Sequence, residues 1–249
     1  MFFAILNFTL SGAIILVGIL TLMKVSEPKE VVFATLPLFF GLHQFAQGFV
    51  WLGMEHLISP RALEMAEMAF ALYAKGLLQF WVPLAIWLLE PPGRRKNIVG
   101  ALALLGLLLT LYSVWALSAA PMHVYVRNHS LVYDTPKTEY FWLGVGYVLT
   151  TIGSLILSSS ISIRLFGWLN FFGLTLVWLV KPYAFTSLWC LYAAAVSVLL
   201  YFYFVERRIA FLQKIREREY NLGAKLTREL ARLERRYPVW REKVRRKFL

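Results

Sequence analysis

Lys75 lies near the middle of an apolar run at about residues 64–89, too deep for its ammonium to snorkel to either end. An ionisable side chain at such a depth is expensive unless it is paired, so it marks a candidate site. Glu67, Lys75 and Gln79 are eight and four residues apart and share broadly one helical face. The preceding apolar run, about 31–54, carries His43, Gln44 and Gln47 near its centre, with Trp51 one turn further on. His43, Gln47 and Trp51 recur at i, i+4 and i+8 and make a polar-aromatic stripe. Two facing stripes, one with Lys75 and Gln79 and one with His43, Gln44 and Gln47, would line a polar pocket inside a helical bundle. No Asp or Glu lies at the depth of Lys75, so its counter-charge is expected from Glu67 or from a ligand anion, such as a fatty-acid carboxylate or a lipid phosphate; otherwise the lysine is neutral. A retinal-type Schiff base is a sharper alternative, against which the only lysine of the last two apolar runs, Lys181, lies near a membrane end. The plainer alternatives are a structural lysine bonded to carbonyls or glutamines, and a satisfied interhelical histidine at His43.

A second group is spread over the loop at 118–140 and the start of the last apolar run: His129, Tyr133, Asp134, Trp189 and Cys190. If the topology brings these to one side, they cluster with Gln47 and Trp51 beneath that loop. Metal chemistry would need ligands converging from Glu55, His56, His123, His129 and Asp134, and the four histidines lack the paired spacing of a metal helix, so no metal site is expected. No nucleophile elbow and no glycine-rich phosphate loop is present. A lone Cys190 excludes an internal disulfide framework.

Elements that hold such residues must be helices in lipid. The chain of 249 residues is 59% hydrophobic, with a mean hydropathy of +0.61. Seven apolar runs, at about 2–23, 31–54, 64–89, 98–117, 141–159, 163–185 and 186–205, are each near or above the roughly 20 residues that cross a bilayer core. Backbone groups in lipid must pair internally, so the reading is an all-α polytopic bundle of seven transmembrane helices. The opening Met1-Phe2-Phe3-Ala4 has no positive n-region, which favours a retained first span over a cleaved signal. Lys24, Lys29, Arg94, Arg95, Lys96 and Arg164 fall on one side with the tail, and only Arg61, Arg127, Lys137 and Lys181 on the other. The positive-inside bias therefore predicts a multi-pass cell-membrane protein, N-terminus outside and C-terminus cytoplasmic. Val124-Tyr125-Val126 and Leu131-Val132-Tyr133 flank Arg127-Asn128-His129-Ser130 and predict a small outer β-hairpin. Pro37, Pro83 and Pro182 lie within apolar runs, and each predicts a kink; a short turn near Lys181-Pro182-Tyr183 separates the sixth and seventh runs.

The domain boundary falls at 205/206. Glu206–Leu249 holds 15 Lys/Arg and 6 Asp/Glu, most of the chain's net +12. The excess charge thus describes a tail and not a nucleic-acid-binding core. Leu226, Leu230, Leu233 and Tyr237 form an apolar stripe on this basic helix. Pro238 would open a second short helix with Trp240, Val244 and Phe248. Such a helix is expected to lie on anionic lipid head groups of the bilayer, or else to bind a partner.

Several segments together resemble a family of uncharacterised prokaryotic seven-span membrane proteins, a domain of unknown function. They are Gly41-Leu42-His43-Gln44 with Gln47-Gly48-Phe49-Val50-Trp51-Leu52, Trp81-Val82-Pro83-Leu84 with Leu89-Glu90-Pro91, His129-Ser130-Leu131-Val132-Tyr133-Asp134, and Ser187-Leu188-Trp189-Cys190 followed by Tyr192-Ala193-Ala194. The resemblance covers about residues 1–205 and implies the seven-span topology without an activity. It departs at His43, where the family often has Gln, and at Gln47, where it often has Glu, which weakens a proton relay through Gln47. Phe2-Phe3-Ala4 also replaces the family's usual Cys-Phe-Ser opening.

The expectation is a binding protein, a sensor or transporter holding a small amphipathic or anionic lipid-like ligand in an outward-facing pocket. Lys75 would supply charge, His43, Gln44, Gln47 and Gln79 hydrogen bonds, and Trp51 and Trp189 aromatic walls. The alternatives are an enzyme acting on lipids at the outer leaflet through His129, Asp134 and Cys190, or a scaffolding subunit whose tail recruits a partner.

Overall fold

Uncharged apolar sequence without proline folds as Phe2–Leu22, a 21-residue helix, α1. At ~1.5 Å per residue it is long enough for a bilayer core. The computed structural model of the chain describes residues 1–236; the residues expected to form the second tail helix, Pro238, Trp240, Val244 and Phe248, and the stripe residue Tyr237 lie outside them. After α1 the chain turns through Pro28–Glu30, where the Glu27 and Glu30 side chains form a reciprocal capping box. One further turn, Val31–Ala34, precedes α2, Leu36–Met54. Pro37 sits in the first turn of α2 and not within a continuous helix. There its missing N–H is no loss, so the helix restarts at Pro37 where a kink was expected.

Ser59 accepts from the Ala62 backbone and caps α3, Pro60–Leu89, with Pro60 in the first turn. This cap-and-proline signal starts α3 earlier than hydropathy alone implied. The helix is α-helical over Pro60–Ala71, widens into a π-helix at Leu72–Leu77, and is α-helical again over Leu78–Leu89 with Pro83 inside it. α4 spans Arg94–Ala119. Then β1, His123–Arg127, pairs antiparallel with β2, Ser130–Asp134, in the register Arg127↔Ser130. The two linking residues, Asn128 and His129, have φ of 46° and 59°. A two-residue turn with both φ positive matches the twist of paired strands.

α5, Phe141–Leu157, contains a second π-helical turn at Leu149–Gly153. α6 is Ile161–Val180, α7 is Phe185–Ser197 and α8 is Leu199–Arg236. Pro182 opens a 3-10 turn, Pro182–Ala184, between α6 and α7. The short turn expected near Lys181-Pro182-Tyr183 therefore separates two helices, and the proline does not kink a continuous one.

Five helices are long and apolar enough to cross a membrane: Phe2–Leu22, Pro60–Leu89, Arg94–Ala119, Ile161–Val180 and Pro182–Leu233. Large apolar side chains face outwards on several of them, among them Leu16, Leu104, Leu108, Phe172 and Leu176. Polar side chains sit inside, including Ser11, His43, Gln44, Gln47, Gln79, Ser113, Asn170 and Ser187. That distribution suits a lipid solvent, which rewards apolar exteriors and confines polar groups to the interior. Many of the inner hydroxyls and amides bond their own helix one turn back, as Thr150 does to Gly146 O and Asn170 to Phe166 O.

Close backbone approach fixes the helix pairs. A Cβ on Gly18 would meet the Leu38 backbone at 2.4 Å, and one on Gly41 the Ile15 backbone at 2.8 Å, so α1 and α2 pack almost in contact. A Cβ on Gly106 would stand 1.9 Å from the Gln79 carbonyl oxygen. Pro83, with no N–H, leaves that carbonyl without its helical donor, and α4 closes over it. The chain divides into two compact units, Met1–Val205 and Glu206–Leu249. In the second, the described residues are helical, and Leu212, Leu222, Leu226, Leu230 and Leu233 are exposed.

Candidate functional site

His43 leaves α2 towards α3. Its ring stacks on Phe70 at 3.9 Å between centroids, and Phe70 stacks in turn on Tyr133 of β2 at 4.4 Å. His43 Nε2 lies 3.1 Å from the Phe70 carbonyl. A carbonyl only accepts, so Nε2 carries the proton and Nδ1 is a bare acceptor. Nδ1 is buried and has no hydrogen-bond partner. The imidazole is neutral in this tautomer. Tyr73 completes the aromatic corner, its ring 4.5 Å from that of His43.

One turn along α2, the Gln47 amide donates to Ser187 Oγ of α7, while its Oε1 is unpartnered. Gln44, between them, is fully buried, and neither atom of its amide has a partner. The hydroxyls of Tyr73 and Tyr133 are also buried without partners. Burial pushes the Tyr133 phenol well above its ordinary range, so it stays a donor. Tyr73, Tyr133 and Tyr147 all lie within electrostatic reach of the fully buried Cys190 on α7. Trp189 Nε1 donates to the Tyr147 hydroxyl at 3.2 Å. Buried polar atoms in folded proteins are almost always bonded, so this concentration of unmet groups is what distinguishes the region.

Lys75 belongs to the π-helical turn. The turn is held by side chains: the Lys75 carbonyl accepts from Gln79 Nε2, and the Gly76 carbonyl from Thr110 Oγ1 of α4 at 2.8 Å. Such widened turns often mark functional positions. The Lys75 ammonium donates to Thr135 Oγ1 and lies 3.7 Å from Glu139 Oε1. Its counter-charge was expected from Glu67 or from a ligand; it comes instead from Glu139, at the foot of the hairpin. Glu139 also accepts from the Thr135 backbone at 3.1 Å, which closes the turn on itself. Asp134 adds to the negative surroundings of Lys75. Gln79 donates to Ser113 Oγ at 3.3 Å as well, and its Oε1 is unpartnered.

The hairpin thus brings Tyr133 onto Phe70, and through it to His43, within reach of Cys190, and sets Asp134 near Lys75; Gln47 meets Ser187 and Trp189 meets Tyr147. His129 and Trp51 form a separate rim: both rings lie against Phe3, at 6.0 Å and 4.7 Å. His129 is exposed and Cys190 fully buried, so these two fall in different layers. Among the described residues no three His, Cys, Asp or Glu side chains converge as a metal would require. A cleft of about 390 Å³ lies beside Glu64, Glu67, Met68, Leu117 and Met122, and it shares no lining residue with the His43–Gln47 stripe.

Phe70, Tyr73, Thr135, Glu139 and Tyr147 escaped the sequence reading, and Ser187 entered it only within the segment Ser187-Leu188-Trp189-Cys190, without a role. Tyr73 alone had a local signal, two positions from Lys75. The others arrive only through tertiary packing.

Neither a curated protein nor a solved structure matches the chain. A family model does, over residues 2–215, which extends past the boundary at Val205 and into α8. The chain therefore belongs to DUF6629, a family of unknown function.

Proposed function

We propose that this is a seven-span integral membrane protein that binds a small amphipathic, lipid-like ligand in the polar core beneath its outer hairpin, as a sensor or transporter. α2 and α5 supply the two spans beyond the five long apolar helices. α2 owes its lower hydropathy to His43, Gln44 and Gln47, the residues that make the site. The Lys/Arg distribution supports an N-terminus outside and a cytoplasmic C-terminus, with the hairpin on the outer side.

One observation carries the reading: Gln44, Gln47, His43, Tyr73 and Tyr133 present buried polar atoms that no described residue satisfies. Lys75, already engaged by Thr135 and Glu139, ties the hairpin foot over this core. Trp189 forms part of the wall, and Trp51 with His129 the rim.

Native mass spectrometry of the full chain from mild detergent tests this. A co-purifying molecule present in the wild type and absent from a Gln44→Leu, Gln47→Leu double variant is expected. A wild type that carries nothing and gains no stability from any added amphiphile would sink the reading.

The basic tail is proposed to rest on anionic head groups. Lys214, Arg218, Lys225 and Arg232 recur at steps of four and seven, which align them as a stripe beside Leu212, Leu222, Leu226 and Leu233. Full-length protein should associate with phosphatidylglycerol vesicles in a salt-sensitive way, and protein lacking 206–249 should not; equal association of the two would end this part of the proposal.

A further inference from the structure

We infer that the head group this core takes is uncharged and both gives and takes hydrogen bonds: a glycerol-type diol, a long-chain alcohol or a primary amide on an apolar chain. The inference rests on the binding reading above and names the ligand class for the same site.

The unmet atoms are of both kinds. Donors are the Gln44 amide nitrogen and the hydroxyls of Tyr73 and Tyr133. Acceptors are Gln44 Oε1, Gln47 Oε1 and His43 Nδ1. Reversing the Gln47 amide exchanges which of its atoms meets Ser187 but still leaves one unmet. Gln44 leaves both unmet in either orientation. A carboxylate, phosphate diester or ester carbonyl has only acceptors and would satisfy the phenols while stranding His43 Nδ1 and the glutamine oxygens. An ammonium has only donors: it could donate to the phenol oxygens but would strand the Gln44 amide nitrogen and leave the phenol protons unmet. A hydroxyl does both.

Charge points the same way. Every unmet group is neutral. The cation of this region, Lys75, already has Thr135 on one side and Glu139 on the other. An anionic head placed among Gln44, Gln47 and His43 would lose its hydration beside a cation that is already engaged, and a cationic head would find the Glu67 carboxylate only towards Tyr133. The stacked rings of His43, Phe70 and Tyr133 add an apolar wall for the carbon skeleton.

The test uses the full chain in nanodiscs of neutral lipid, titrated with four amphiphiles that share one chain: monoolein, methyl oleate, oleate and oleylamine. Monoolein is expected to bind at least about tenfold more tightly than each of the others, the factor that one satisfied hydrogen bond represents. Gln44→Leu and Tyr133→Phe should each lower monoolein affinity about tenfold, while Lys75→Met leaves the order of the four unchanged. Tyr133→Phe removes only a phenol oxygen, so it decides the matter if Gln44→Leu does not fold. Tightest binding by oleate, lost in Lys75→Met, would overturn this inference and leave the binding site standing. Equal affinity for all four would also overturn it. No binding by any, with a wild type that carries nothing, would remove the site as well.

Discussion

Glu90 and Gln44 are both buried polar side chains in the helical bundle, and the fold treats them in opposite ways. Glu90, at the end of α3, accepts from Ser158 Oγ and from the Ser159 backbone, each at 2.7 Å. Its carboxylate is built into the turn between α5 and α6. Gln44 is just as deep, and among the described residues nothing bonds its amide. A buried carboxylate without partners would be prohibitive, so the sequence supplies Ser158 and Ser159 at the one place they are needed. The amide of Gln44 carries a smaller but real desolvation penalty that the chain leaves uncompensated. The difference teaches how to separate two kinds of polarity in such a bundle: one is closed within the protein, and the other, which the proposed function assigns to a site, is left open.

Removing the closed kind should have the largest effect. Glu90→Ala strands Ser158 and Ser159 and is expected to destabilise the fold by about 3 kcal/mol, read by thermal unfolding in detergent. Gln44→Leu, by contrast, should leave stability unchanged or raise it by up to about 1 kcal/mol, because an unmet amide is replaced by a side chain of similar size. If both variants lost stability equally, Gln44 would belong with Glu90 and the distinction would fall.

Helix approach comes next. Gly106→Ala places a methyl group against the Gln79 carbonyl oxygen, which is backbone and cannot rotate away. A loss of about 2 kcal/mol is expected, with α3 and α4 forced apart. A neutral result would mean that the Pro83 kink relaxes to absorb the methyl group, and circular dichroism melts would show it.

How much of this was legible follows from the range of each cause. α1, α4 and α6 could be read from hydropathy because apolar character adds up residue by residue along one helix. The hairpin was legible because Asn128 and the flanking β-formers are local signals. The restart at Pro37 was read as a kink, since a proline in an apolar run looks the same whether it begins a helix or bends one; at Pro182 the sequence suggested both a kink and a turn between the last two runs, and the turn is what forms. The His43–Gln47 stripe was visible as spacing along one helix. The partners of that stripe were not. Thr135 lies 60 positions from Lys75 in sequence, and Ser187 lies 140 from Gln47. The π-helical turn at Leu72–Leu77 is likewise the product of tertiary bonds, from Thr110 and Gln79, that no local pattern announces.

Lys75 lies between the two kinds of polarity, closed by the turn that covers the open core. Lys75→Met should release Thr135–Glu139, and amide exchange there is expected to quicken about tenfold, the change for roughly 1.4 kcal/mol of local stability. Unchanged exchange would show that the turn's own bonds hold it, and that Lys75 is a passenger.

The smallest expected effect separates the two partners of that lysine. Glu139 is half exposed, at 51%, and its carboxylate stands 3.7 Å from the ammonium. Water competes for such a pair, so Glu139→Gln should cost under about 1 kcal/mol. Thr135 is 3% exposed, and its hydroxyl both receives the ammonium and meets Thr138 Oγ1 at 2.7 Å. Thr135→Val removes that buried acceptor while keeping the shape, and is expected to cost more than Glu139→Gln despite removing no charge. The reverse order would mean that the Coulombic pair, and not the buried hydroxyl, anchors the cap. In that case raising the salt concentration should loosen the Thr135–Glu139 amides of the wild type, whereas an anchor built on Thr135 predicts exchange that does not change with salt.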